Sequence, residues 1–173
     1  MIRYRITKYP PQNRNEQGWY TKEEWTSYVD IGKVYDSGLF TLEDYLKVES
    51  NYCEVAKKIM EENHISILIV EELENRSSIL RLNQSLNPRR LTLSKNDIQF
   101  LNHVKNGSTI SKETFKQVLT LLLRECFWCK LVSQDRKFIV ETGYDYYMYI
   151  TCRHLSSQII EQAEQIGMYI EEM

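Results

Sequence analysis

The chain has 173 residues, of which 42% are hydrophobic and 27% charged, and its formal net charge at pH 7 is −2. This composition is ordinary for a globular protein, so we expect a single domain over residues 1–173. No apolar run approaches the ~20 residues of a membrane span, and the first residues lack the apolar core of a secretion signal. These features predict a cytoplasmic protein with no membrane partner. The four cysteines lie outside any disulfide-rich framework, which predicts buried free thiols.

The first part of the chain predicts two strands, a long helix and a third strand. Alternation of apolar and polar residues predicts strands over residues 2–6 and 24–31. Thr41, with a carboxylate three residues on, is typical of a helix N-cap and predicts a helix that ends at about residue 63. The apolar run 65–70 is too short for a helix and predicts a central strand.

The middle of the chain predicts two further helices. Residues 75–93 are polar and predict at most one weak strand, over residues 78–82. Ser94 and Ser111 are each placed to cap a helix. The second of these helices is apolar nearly all round, so we expect it to lie deep in the core.

The last third predicts a strand meander, a helix and a short final strand. These elements cover residues 127–132, 137–142, 144–150, 155–166 and 168–170. Hairpins mixed with separate helices predict an α+β fold with a mainly antiparallel sheet and about four helices. The predicted core residues are Tyr45, Ile59, Ile67, Ile69, Leu119, Leu122, Tyr146 and Ile150.

Four of the twelve tyrosines fall within residues 144–149. Alternation along a strand would point one set of residues toward the core, namely Tyr144, Tyr146, Met148 and Ile150. It would point the other set outward, namely Asp145, Tyr147, Tyr149 and Thr151. Outward tyrosines beside a carboxylate form an amphipathic surface of the kind that binds protein partners, although a strand covered on both sides fits the same residues. The predicted partner-binding residues are Glu141, Asp145, Tyr147 and Tyr149 in one patch, and Trp25, Glu23 and Glu24 in a second. Simple burial is the alternative for Trp25.

Motifs for catalysis or metal binding are weak. Cys126 and Cys129 match C-x-x-C, and with Cys152 and His154 they contain the residue types of a zinc site. Two observations favour buried free thiols instead. Bulky aromatic residues lie between Cys126 and Cys129, and on a strand these two thiols would point to opposite faces. No phosphate-binding glycine motif or nucleophile elbow occurs. We therefore predict no metal, cofactor or catalytic residue, with an enzyme that uses an unrecognised carboxylate or histidine site as an alternative.

Charge is distributed in three blocks. Residues 1–75 carry 9 basic and 14 acidic side chains, residues 76–137 carry 12 and 4, and residues 138–173 carry 1 and 6. Such blocks can steer a charged partner, or they can neutralise one another across the folded surface. The basic segment 76–95 makes nucleic-acid or nucleotide binding a second alternative. Its lack of interleaved aromatics and a pI near 6.0 favour a solvated loop.

Several segments, taken together, support a resemblance to a known family. They are Glu24-Trp25-Thr26-Ser27, Asp30-Ile31-Gly32, residues 41–46, Leu123-Arg124-Glu125, residues 128–131 and residues 143–150. In this order they resemble a family of small, largely uncharacterised cytosolic proteins of Bacillus-like bacteria, associated with immunity-protein-like neighbours of secreted toxins. The resemblance implies a bacterial cytosolic binding protein whose partner is a toxin domain. It implies no activity and no catalytic residue.

Overall fold

The computed structural model describes residues 1–74 and 77–173 and contains nine strands within them. They are β1 (Ile2–Thr7), β2 (Val34–Tyr35), β3 (Gly38–Leu39), β4 (Ile67–Glu74), β5 (Thr109–Ser111), β6 (Trp128–Ser133), β7 (Ile139–Thr142), β8 (Met148–Cys152) and β9 (Tyr169–Glu172). Seven form one sheet in the order β5-β4-β6-β7-β8-β1-β9, and β2 pairs only with β3. Every neighbouring pair in the large sheet is antiparallel.

Five helices occur in the same described ranges. They are α1 (Leu42–Glu62), α2 (Ile79–Leu86), α3 (Lys95–His103), α4 (Lys112–Leu123) and α5 (Ser157–Gln165). The predicted α+β fold with a mainly antiparallel sheet is therefore confirmed, with five helices where about four were expected. In the described part of the chain, no helix has the length and apolarity needed to cross a membrane.

Local capping begins the helices where the sequence predicts. The Thr41 hydroxyl accepts the Asp44 backbone N–H at 3.2 Å, and the Asp44 carboxylate accepts the Thr41 N–H at 3.0 Å. Ser94 and Asp97 form the same reciprocal pair at the start of α3. Because each box satisfies N–H groups that the first helical turn leaves unpaired, it specifies the first residue of its helix.

Two predicted strands are wrong. Residues 78–82 begin α2, because the Ser78 hydroxyl accepts a backbone N–H three residues on and caps a helix. Residues 24–31 contain a short 3₁₀ helix in place of a strand, because Ser27 and Asp30 form a capping box around it. In both places a local side-chain hydrogen bond to the backbone outweighs a weak alternating pattern.

Apolar side chains from the helices and from one face of the sheet form the core. In β4 the buried residues are Leu68 and Val70, whereas Ile67 is 55% exposed and Ile69 is half-buried, so the predicted phase of this strand is wrong. The run 65–70 is apolar except for Ser66, and its last four residues have no alternation that could determine the phase. The other predicted core residues are buried, namely Tyr45, Ile59, Leu119, Leu122, Tyr146 and Ile150.

The tyrosine segment is a turn followed by a strand. Asp145 and Tyr146 have φ angles of 54° and 62°, and the Tyr147 N–H donates to the Tyr144 carbonyl at 3.2 Å. Two successive positive φ angles in a tight hairpin define a type I′ turn, which here joins β7 to β8. Strand β8 begins only after this turn, so the predicted strand starts too early, but the predicted alternation is confirmed from Tyr146 to Ile150. Tyr144 is 82% exposed instead of lying in the core.

Candidate partner-binding face

The face of the sheet opposite the core carries charged and aromatic side chains. Six neighbouring strands, in the sheet order β4-β6-β7-β8-β1-β9, each place one residue directly opposite that of the next strand. The six residues form a line across this outer face. These residues, which we call the outer row, are Glu71, Lys130, Glu141, Tyr149, Arg5 and Glu171. All six are half-buried, and acidic and basic groups alternate except where Tyr149 is inserted. Opposite charges on adjacent strands stabilise each other and leave the face with little net charge.

Ion pairs neutralise the outer row. Arg5 donates to both Glu171 carboxylate oxygens at 3.0 Å, and Lys130 Nζ lies 3.7 Å from Glu141 Oε1. Lys130 also pairs with Glu72 at 2.7 Å. The basic middle block of the chain is thus paired here with the acidic blocks on either side of it in sequence. Of the two possible outcomes for the charge blocks, these contacts favour mutual neutralisation.

The ring of Tyr149 lies between Arg3 and Gly143. The guanidinium carbon of Arg3 is 4.4 Å from the ring centroid, a cation–π distance. A Cβ atom at Gly143 would lie 2.7 Å from a ring carbon, so a glycine is needed for this close approach. Arg3 also pairs with Glu141 at 3.4 Å. The predicted residues Glu141 and Tyr149 therefore do lie together on the outer face.

Tyr147 is half-buried under the loop that follows β1. Arg14 donates to its hydroxyl at 3.3 Å and to Glu171 at 3.1 Å, which holds this loop over the outer face. On its other side the Tyr147 ring packs against Tyr9, with centroids 5.3 Å apart. Tyr147 is thus part of the floor of the outer face, while Asp145 is exposed on the neighbouring turn.

Two aromatic side chains outside the predicted site are largely exposed on turns near this face. Trp19 is 73% exposed, and its backbone N–H donates to Asn15 Oδ1 at 2.9 Å within the loop that Arg14 fastens to the sheet. Tyr144 is 82% exposed, and its ring centroid lies 5.4 Å from that of Trp128 on β6. We call Trp19 and Tyr144 the rim aromatics.

The second predicted patch is not assembled on the surface. Trp25 is 9% exposed and its ring stacks on Phe40, with centroids 4.4 Å apart, so this tryptophan belongs to the core. Glu24 is half-buried and pairs with Lys8 at 2.9 Å. Glu23 is exposed. The three residues therefore do not present one continuous contact surface.

Lys8 is a buried cation between the core and the outer face. Its Nζ lies 3.9 Å from the Tyr9 ring centroid and 4.2 Å from that of Trp25, in addition to its pairing with Glu24. Burial lowers the pKa of Lys8 to about 8, although the hydrogen bond and charge of Glu24 favour the charged form. With its ammonium enclosed by these groups, Lys8 fastens the segment around Trp25 to β1.

The cysteines show no arrangement for chemistry. All four are free and buried, and burial raises the pKa of Cys126 and of Cys129 to about 12, which keeps both thiols protonated and unreactive. Within residues 1–74 and 77–173, no group of three or more His, Cys, Asp or Glu side chains is placed to hold a metal ion.

The basic segment 76–95 is helical over much of its length. Arg76 lies outside the described residues, and Arg89 donates to the Val29 carbonyl at 3.3 Å. The other basic residues of the segment are exposed, namely Arg81, Arg90 and Lys95. Exposed cations on such a surface are typical both of a solvated face and of a phosphate contact.

Comparisons with protein-family models, curated proteins and solved structures found no match. Function is therefore inferred from the geometry of the outer face and the rim aromatics, and the family resemblance stays an expectation.

Proposed function

We propose that this chain is a cytoplasmic, non-enzymatic binding protein of the immunity type, which neutralises a bacterial toxin domain by protein–protein contact. The observation that carries the proposal is the exposure of Trp19 and Tyr144 beside a sheet face whose charges are already paired. Trp and Tyr are enriched among the few interface residues that supply most of the binding energy, and neighbouring polar contacts then serve mainly to exclude water.

Both rim aromatics are carried by turns that are already formed in the free protein. Asn15 holds the Trp19 loop with two acceptors. Its side-chain Oδ1 accepts the Trp19 N–H, and its backbone carbonyl accepts the Gly18 N–H at 2.8 Å. Tyr144 precedes a hydrogen-bonded type I′ turn. Because ordering a flexible loop on association costs affinity, anchors on preformed turns bind more tightly than the same side chains on mobile ones.

On this proposal the predicted residues of the first patch form contact surface around the anchors. Tyr147 and Tyr149 are half-buried and stacked against arginines, so they offer ring edges and hydroxyls to a partner. Asp145 lies next to Tyr144, and Glu141 lies beside Tyr149 in the outer row. These side chains supply hydrogen bonds and specificity, while the rim aromatics supply most of the apolar contact.

The test is binding to a toxin domain encoded in an adjacent open reading frame. We expect a purified complex, and we expect Trp19→Ala and Tyr144→Ala each to weaken it by ~2 kcal/mol, which is roughly thirtyfold in Kd. Leu80→Ala is the matched control, because Leu80 is a 69% exposed apolar residue on α2. Calorimetric titration measures all three variants.

Two results would contradict the proposal. One is retention of full affinity by both rim variants. The other is the absence of any complex with a neighbouring toxin domain, combined with binding of a generic oligonucleotide whose affinity falls steeply with salt. The second result would favour the basic segment 76–95 as the functional surface.

A further inference from the structure

A groove that combines polar side chains with apolar surface lies between α3 and the junction of β5 with α4. Its volume is about 650 Å³, within the ~300–1,000 Å³ typical of small-molecule sites. The polar residues that line it are Asn96, Gln99, His103, Ser108, Thr109, Thr114 and Gln117. Half-buried Phe100 supplies apolar surface, backed by Phe127 at a centroid distance of 5.9 Å. None of the lining side chains in the described part of the chain is an Asp, Glu, Lys or Arg.

A chain of hydrogen bonds orients the Gln117 amide at one side of this groove. Its Nε2 donates to Asp97 Oδ1 at 2.8 Å, while Asp97 Oδ2 accepts from the Ser94 N–H and hydroxyl at 2.8 and 2.7 Å. Burial alone would raise the pKa of Asp97, but the hydrogen bonds from Gln117 and Ser94 lower it, so Asp97 stays a carboxylate. The amide is therefore held with its nitrogen toward Asp97, and Oε1 is left as an acceptor.

His103 presents a second oriented acceptor. Its Nδ1 lies 2.7 Å from the Gln99 carbonyl oxygen, and because a carbonyl can only accept, Nδ1 carries the proton. In the neutral ring Nε2 is then an acceptor, and it has no hydrogen-bond partner among the described residues. The side chains of Asn96 and Thr109, which are exposed, can each donate as well as accept.

We infer that this groove binds an uncharged, hydroxyl-rich ligand, of which a sugar is the simplest class. Hydroxyl groups donate to the acceptors held at Gln117 and His103 and accept from the Asn96 amide. The apolar face of a sugar ring can pack on Phe100. A phosphate or carboxylate ligand finds no cation among the lining groups. The groove shares no residue with the outer face or the rim aromatics, so this inference is independent of the proposed function.

The test is a ¹⁵N–¹H NMR titration of the full chain with neutral saccharides. The probes are glucose, galactose, N-acetylglucosamine, maltotriose and chitotriose, with AMP as an anionic comparison. We expect at least one saccharide to cause saturable shifts centred on amides of residues 96–117, and AMP to cause none there. Gln117→Ala and Asn96→Ala should each weaken the binding saccharide by about fivefold or more, as expected for the loss of a hydrogen bond.

Gln134→Ala is the matched control, because Gln134 is an exposed amide outside the groove and should leave the affinity unchanged. An unaltered spectrum elsewhere verifies that each variant is folded. The inference is overturned if none of the five saccharides gives saturable shifts, if the shifts lie outside residues 96–117, or if both groove variants bind as tightly as the original chain. Tighter binding of AMP than of every saccharide would also overturn it.

Discussion

The Tyr52 hydroxyl donates a hydrogen bond to the backbone carbonyl of Tyr146, the second left-handed residue of the type I′ turn. The same hydroxyl accepts the Lys8 N–H at 3.1 Å, and the Tyr9 hydroxyl donates to the Asp145 carbonyl at 2.9 Å. Two buried tyrosines therefore hold the two residues whose backbone conformation costs ~1–2 kcal/mol each. The turn is maintained by the core beneath it and not by its own sequence, which lacks the Asn-Gly or Asp-Gly pair usual in such turns.

Replacing Asp145 by glycine should stabilise the protein. The φ of 54° at Asp145 is unfavourable for a side chain but costs glycine nothing, so we expect Asp145→Gly to raise the free energy of unfolding by ~0.5–1 kcal/mol. Gln134→Gly, on an exposed turn residue outside the positive-φ set, should be neutral or destabilising. Urea midpoints of the two variants measure the difference, and a lower midpoint for Asp145→Gly would contradict the strain assigned to this turn.

Two tyrosine-to-phenylalanine changes should have opposite outcomes. Tyr52→Phe removes a hydroxyl that satisfies the Lys8 N–H and the Tyr146 carbonyl, so two buried backbone groups lose a partner and the free energy of unfolding should fall by ~2–3 kcal/mol. The Tyr146 hydroxyl is buried without a hydrogen-bond partner among the described residues, so Tyr146→Phe should be neutral or slightly stabilising. Chemical denaturation of both variants tests the contrast. A loss near zero for Tyr52→Phe would show that Tyr52 acts only through packing.

Features encoded within a few residues could be predicted, and those that depend on distant residues could not. Thr41 and Ser94 begin helices because their caps are completed three residues away. The left-handed conformation of Tyr146 depends on Tyr52, 94 positions away in the chain, and carries no local signal. The outer row needs the register of six strands and includes a pair, Arg5 with Glu171, separated by 166 positions.

The predicted contact residues do not include the rim aromatics, for separate reasons. Trp19 follows Gly18 in a polar loop. A large apolar residue there belongs to no alternating pattern that would place it in the core, and this is the signal in the sequence that its side chain is exposed. The predicted alternation places Tyr144 on the core face of a strand that begins only after it. By contrast the sequence does predict that Tyr149 lies near Glu141, since β7 and β8 are adjacent hairpin strands, and the structure places the two side by side.

The ion pair between Glu49 and Arg124 should be the costliest to break. Arg124 donates to both Glu49 oxygens at 2.7 and 2.8 Å, and both side chains are largely removed from solvent where α1 meets the end of α4. Arg124→Leu leaves a buried carboxylate unpaired, so we expect a loss of ~3–5 kcal/mol in the free energy of unfolding. Lys57→Ala, which breaks an exposed pair with Glu61, should cost less than ~1 kcal/mol. Similar losses in the two variants would contradict this assignment.

Stability should fall as the pH is raised above 9. Burial raises the pKa of Cys129 from 9.0 to about 12, and that of Cys53 and Cys152 to about 11. Between pH 9 and pH 12 the folded state therefore binds more protons than the unfolded state. The stability that the buried thiols contribute is fully present below pH 9 and is lost as the pH rises toward 12. Lys8 acts in the opposite sense, because its folded pKa of about 8 lies below its ordinary 10.5. The thiols outnumber it.

Urea midpoints between pH 8 and 11 in the presence of a reductant measure this trend. Cys129→Ala should flatten the slope, because it removes one of the protons that the folded state retains. A midpoint that rises throughout this interval would show that Lys8 outweighs the thiols. The variant Lys8→Met should then abolish that rise, and if it does not, neither group is responsible.

Binding of the proposed toxin partner should depend only weakly on salt. The charges of the outer row are already paired within the protein, as in Lys130 with Glu141 and Arg5 with Glu171, so few counterions are released when a partner covers them. We expect Kd to change by less than about fivefold between 50 and 300 mM NaCl, because exposed charge pairs are screened over ~10 Å and contribute little. Lys130→Ala should increase the salt dependence by removing the cation that Glu72 and Glu141 share, whereas Lys57→Ala on α1 should not. A nucleic-acid complex with six or more phosphate contacts would instead lose ~10³ or more in affinity over a similar range. A change of that size in the wild-type complex would show that exposed cations, and not the rim aromatics, carry the binding energy.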